Sequence, residues 1–100
     1  MIEIHQTDIY HKWFVELRDR NAKMKILVRI RRISLENFGD VKSVGKGVSE
    51  IRIDYGLGYR IYFIKKGSTV IILLAGGTKS TQSKDIKLAQ DIAYLLENEV

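Results

Sequence analysis

A chain of 100 residues, 45% hydrophobic and 29% charged, has room for one folded domain, spanning residues 1–100, and no second core. Its 17 Lys and Arg against 12 Asp and Glu give a net charge of +5, the sign expected of a domain that meets polyanions. The lack of cysteine excludes disulfides, thiolate metal sites and thiol catalysis, and two histidines, His5 and His11, argue against a histidine-rich metal centre. No basic-then-apolar signal region opens the chain, and its longest apolar run, Val70 to Ala75, is too short to span a bilayer. The expectation is a cytoplasmic protein without membrane contact, undivided by any Pro-rich linker.

Ile2, Ile4 and Gln6 alternate with Glu3 and His5, which predicts a short first strand. Thr7 or Asp8 then caps a helix with Ile9, Trp13 and Leu17 at a spacing of four and Phe14 widening the stripe. Asn21 reads as a second cap, followed by Ala22, Ile26, Ile30 and Ile33 on one face, so the two helices form an αα-hairpin. Arg20, Lys23, Lys25, Arg29, Arg31 and Arg32 crowd the second helix, and no acid occurs between Arg20 and Leu35. Such a face is either simply solvated or relieved by a polyanionic partner.

Residues 37–47 have the composition of a loop. Val48–Asp54 and Tyr59–Ile64 alternate as strands around a Gly56-Leu57-Gly58 hairpin turn, and Lys66-Gly67-Ser68 turns into an apolar strand at Thr69–Ala75. Gly76-Gly77 is expected to break that strand as a positive-φ turn, delivering Lys79, Ser80, Thr81, Gln82 and Lys84 to the start of a terminal helix. This helix, Ser83–Asn98, carries Ile86, Ala89, Ile92, Ala93 and Leu96 on one face and an acidic end fraying over Glu97–Val100. The predicted order β-α-α-β-β-β-α describes an α+β domain: a small antiparallel sheet with its helices packed on one face.

Strand parity brings candidate chemistry together. If Ile51, Ile53, Ile61 and Phe63 share the core face, then Glu50, Arg52, Arg60 and Tyr62 lie on the opposite face, with Lys79 emerging from the neighbouring strand. Cations with hydrogen-bond donors on a rigid edge favour an anion, most simply a phosphate. Salt bridges from Arg52 and Arg60 to Glu50 and Asp54 are the structural alternative. Gly76–Ser80 fails the P-loop pattern, because Lys79 is not preceded by Gly and the spaced upstream Gly is missing. Gly56-Leu57-Gly58 precedes a strand rather than a helix and is no dinucleotide fingerprint. Trp13 and Phe14 read as core, and of the tyrosines Tyr59 and Tyr62 lie near the proposed surface, where one could stack on a base.

Taken together, Asn37–Lys42, Gly47–Ile53, Gly58–Phe63, Leu73–Gln82 and Asp85-Ile86 resemble the RelE/HigB-type addiction-module toxins. More narrowly, the chain resembles the branch of addiction module killer proteins, phage-derived and Gp49-like. The resemblance implies a RelE/ParE-like fold, a sheet with two N-terminal helices and one C-terminal helix. It also implies a toxin that forms a hetero-oligomer with a HigA-like helix-turn-helix antitoxin and cleaves messenger RNA on the ribosome. By matching position it places Arg52 and Arg60 on the central strands and Lys79 after the last one, with no metal and no cofactor. Glu50 joins them as a catalytic candidate, and Tyr62, Gln82, Lys84, Arg29, Arg32 and Lys46 as substrate-binding candidates. His5 and His11 lie far from the matching strands, and Tyr94 falls within a helix, so none of the three is assigned a role.

The implied chemistry is attack of a ribose 2′-OH on the adjacent phosphate. It depends on charge stabilisation and in-line geometry more than on a strong base. Glu50 or Lys79 is the candidate base. Two other classes remain open: a ParE-like, non-enzymatic inhibitor of DNA gyrase, and an inactive basic binding module.

Overall fold

The computed structural model describes Met1–Asn98; Glu99 and Val100, the end of the fraying acidic segment, lie outside the described residues. In chain order the elements are β1 (Glu3–Gln6), α1 (Asp8–Val15), α2 (Arg20–Ser34), β2 (Val41–Ser43), β3 (Ser49–Ile53), β4 (Tyr59–Lys66) and β5 (Val70–Thr78). A 3₁₀ turn (Lys79–Thr81) and α3 (Gln82–Glu97) follow. The architecture is α+β, with one five-stranded sheet ordered β1-β5-β4-β3-β2. Pairing is antiparallel except where β1 runs parallel to β5. No described helix is long and apolar enough to cross a membrane.

Local chemistry accounts for the helix starts. The Thr7 hydroxyl accepts from the Tyr10 N–H at 3.0 Å and donates to the Leu74 carbonyl at 2.7 Å, capping α1 and tying it to β5. α2 is capped by Asp19 rather than Asn21, because its carboxylate reaches the N–H groups of Asn21 (2.9 Å) and Ala22 (3.1 Å) and starts the helix earlier.

The helices flank both faces of the sheet, not one. Ala22, Ile26 and Ile33 of α2 and Tyr10 of α1 pack with Ile51, Ile53, Ile61, Phe63, Ile71 and Leu73 on the first face. On the second, Ala89 and Ala93 of α3 cover Val48, Tyr62, Ile64 and Leu74. The terminal helix has its own apolar stripe, and with α1 and α2 already on the first face only the second remains to bury it. The loop expected at 37–47 contains an edge strand: β2 pairs Val41 with Ile51 and Ser43 with Ser49. Three residues are too few for alternation to reveal.

Gly76 and Gly77 do not break β5. They continue it, opposite Ile61 and Arg60, and neither has positive φ. Both positions are glycine for lack of space. A Cβ at Gly76 would overlap the Trp13 ring, and one at Gly77 would overlap the Asp85 carboxylate of α3. The hairpin between β3 and β4 does need positive φ, +54° at Gly56 and +72° at Gly58. In β5 one extra residue, Leu74, lies between Leu73 (opposite Phe63) and Ala75 (opposite Tyr62), forming a bulge just before the glycines.

Candidate functional site

At the end of the sheet where β3 turns into β4 and β5 ends, a cleft of about 360 Å³ opens between Arg52, Arg60, Lys79, Asp40, Asp54 and the Gly56–Gly58 turn. Arg52 and Arg60 are direct cross-strand partners, and Gly77 lies opposite Arg60 on its other side. β5 runs on to Thr78, so Lys79 emerges one residue past the sheet edge, where its N–H donates to the Leu57 carbonyl at 3.4 Å. The cleft thus unites three of the candidate cations, and it does so by strand register.

Their pairing states differ. The Arg52 Nε donates to Glu50 Oε1 at 2.8 Å, and the Gln82 side-chain amide donates to Glu50 Oε2 at the same distance. Glu50 is fully buried, so both of its oxygens are engaged and closed to solvent. Burial alone would push its carboxyl up, but hydrogen bonds from Arg52 and Gln82 and the Arg52 charge outweigh it and hold the group below the usual carboxylate range. The Glu50 hydrogen bond likewise raises Arg52 above its ordinary value. Among the described residues neither Arg60 nor Lys79 has a carboxylate within ion-pairing distance. Arg60 makes one long contact, 3.4 Å from its terminal nitrogen to the Tyr59 carbonyl, and its buried Nε has no partner.

Since the folded Glu50 titrates below its unfolded value, its stabilisation is complete above the unfolded range near pH ~4.3. It is lost as pH falls through the folded value. Wild-type protein is therefore expected to exceed Glu50→Gln in urea midpoint at about pH 7, with the gap closing below about pH 4. Parallel midpoints across that range would contradict the assignment.

The remaining candidates disperse. Tyr62 is on the expected face, but α3 packs over it and it is fully buried, so it offers no ring for a base to stack on. Burial, with Glu50 and Asp85 nearby, pushes its hydroxyl up, and among the described residues that hydroxyl reaches hydrogen-bond geometry with no group. Gln82 faces Glu50 rather than the open cleft, while Lys84 is exposed on the first turn of α3. Arg29 directs its guanidinium at the backbone, donating to the carbonyls of Arg52 (2.5 Å), Asp40 (3.2 Å) and Phe38 (3.4 Å), and so pins the 38–40 segment and β3 to α2. Arg32 lines a different groove, against α2. Lys46 is in the β2–β3 turn, beyond the far end of β3 from the cleft, facing the last turns of α3. His5 bonds Glu3 and His11 bonds Gln6, both at the exposed N-terminus.

Sequence reading missed Asp40 as a cleft residue and Asp85 as a structural one. Asp40 belongs to a segment read as loop, placed by Arg29. Asp85 is buried, accepts from Thr81 at 2.5 Å and fills the space that Gly77 leaves. The adjoining pair of glycines in an otherwise apolar strand was its one advance sign.

Comparison with known proteins gives two matches. The family described as phage derived protein Gp49-like matches residues 12–93. A protein of Haemophilus influenzae (strain Rd), described only as uncharacterized, is 48% identical over 95 residues, covering 95% of this chain and 96% of its own length.

Proposed function

Because the chain belongs to the phage-derived Gp49-like family, which is associated with toxin–antitoxin systems, we propose that it is the toxin of such a module and cuts messenger RNA on the ribosome. The observation that carries this reading is the pair of unneutralised cations, Arg60 and Lys79, in one cleft with Arg52. A buried guanidinium nitrogen without a partner is a cost that a bound anion removes. A phosphodiester oxygen suits a forked guanidinium with an ammonium beside it. The antitoxin, in this reading, is a helix-turn-helix protein of the HigA type, encoded beside the toxin.

The proposed reaction is internal transesterification. The ribose 2′-oxygen bonds to phosphorus as the bond to the 5′-oxygen breaks, leaving a cyclic phosphate and a 5′-hydroxyl. Arg60 and Arg52 stabilise the non-bridging oxygens as charge builds on them. Lys79 gives a proton to the departing 5′-oxygen. Asp54, exposed on the cleft wall, takes the proton from the 2′-hydroxyl. Glu50 serves as the anchor that aims Arg52, since both of its oxygens are engaged. The weak base makes in-line geometry the larger requirement, and the ribosome supplies it by ordering the message.

Induction of the protein without its neighbouring gene, followed by primer extension on cellular transcripts, tests the reading. In-frame cuts that disappear with Lys79→Ala are the expected result. Intact transcripts accompanied by a DNA-damage response would instead indicate a gyrase poison of the ParE type. Normal growth with intact transcripts would leave only a binding module.

A further inference from the structure

A second groove, about 340 Å³, runs along the outer side of α2 against the end of β3. Its apolar lining is aliphatic: Met24, Val28 and Ile53. Met24 is 59% exposed and Val28 45%, one turn apart on the helix, so their side chains face water with nothing packed on them. Lys25, Arg29 and Arg32 supply the cationic part. Among the described residues no cation of α2 is ion-paired to a carboxylate. Arg29 is committed to backbone carbonyls, and Lys25 lies 5.2 Å from the Tyr55 ring centroid, which leaves Lys25 and Arg32 cationic but unneutralised.

We propose that this groove docks an acidic amphipathic segment of a partner protein, its aliphatic side chains on Met24 and Val28 and its carboxylates toward Lys25 and Arg32. Nucleic acid would satisfy the cations but leave the aliphatic floor uncovered, since RNA gains from aromatic platforms and phosphate contacts rather than from aliphatic ones. A helical segment with Leu or Val on one face and Glu or Asp on the other covers the floor and neutralises the rim together. Asp54 lines both this groove and the cationic cleft, so a docked segment ends beside the candidate active site. The docking does not depend on the cleft being a nuclease.

The test is a mapped binding assay on the full ¹⁵N-labelled chain with three probes. The first is a synthetic peptide of on the order of 15 residues, about four helical turns, with Leu on one face and Glu on the other. The second replaces its Glu with Lys, and the third is oligouridylate. The Glu peptide is expected to shift the amides of α2 around Met24–Arg32 and of Ile53, to bind more weakly as salt rises, and to lose affinity at least about tenfold with Val28→Asp. Leu95→Asp, at an exposed site on α3, should change nothing. Failure of the Glu peptide to bind, shifts confined to other surfaces, equal binding by the Lys peptide, or oligouridylate alone occupying the groove would each overturn the proposal.

Discussion

Under the proposed reaction, Arg60→Met is expected to lower transcript cleavage about 10²–10³-fold, the usual effect of removing one preorganised donor to a developing oxyanion, with no loss of thermal stability. The second half of this expectation makes it specific. Most partly buried arginines are held by carboxylates, and removing one strands its partner. Arg60 has no such partner among the described residues; its buried Nε is itself the stranded group. Methionine keeps the apolar stem and removes the unpaired donor, so the folded state should be as stable as wild type or more so. Arg60→Lys keeps the charge without the planar fork and should fall between the two in activity. Primer extension together with thermal melts of the same three proteins checks this. A large drop in melting temperature for Arg60→Met would mean that the guanidinium serves the fold.

Gly76→Ala is expected to destabilise the chain strongly for a change of one methyl group. The added Cβ would meet the Trp13 ring, which packs against the core of the sheet, and Gly76 is itself paired with Ile61 within β5. Overpacking of this kind costs about 1–3 kcal/mol, or roughly 4–8 °C in melting temperature for each kcal/mol in a domain of this size. Trp13→Leu in the same chain should recover part of the loss, a coupling read directly from a double-mutant cycle. Gly77→Ala tests the other face, pressing on the Asp85 carboxylate and the start of α3. Equal stability of Gly76→Ala and wild type would contradict the close packing of α1 on β5.

Much of the fold was legible in the sequence. Period-two alternation at Val48–Asp54 and Tyr59–Ile64 placed β3 and β4, and Gly56-Leu57-Gly58 placed their hairpin, because both signals are local. The same parity put Glu50, Arg52, Arg60 and Tyr62 on one face of the sheet, and the register, which sets Arg52 opposite Arg60 and Glu50 opposite Tyr62, agrees with that face. What parity cannot state is whether a face stays open. Tyr62 and Glu50 were expected on an exposed surface and are buried, because α3 packs there rather than with the other two helices. The run of α2 cations likewise did not reveal that Arg29 would be spent on three carbonyls more than eight residues away in sequence.

The glycine pair marks the boundary between the two kinds of knowledge. Composition alone made the chain basic and cysteine-free, and residue order marked Gly76-Gly77 as a special place in an apolar strand with a cation after it, in an α+β domain. Only the tertiary structure decided why the place is special: two faces of one strand, pressed by Trp13 from α1 and Asp85 from α3, leave no room for a side chain. A turn selects glycine through positive φ and a close approach through neighbours distant along the chain, and neither is visible in the local sequence. The direction of Lys79 into the cleft therefore comes from an unbroken β5, paired with β4 through its glycines, carrying it past the sheet edge beside Arg60.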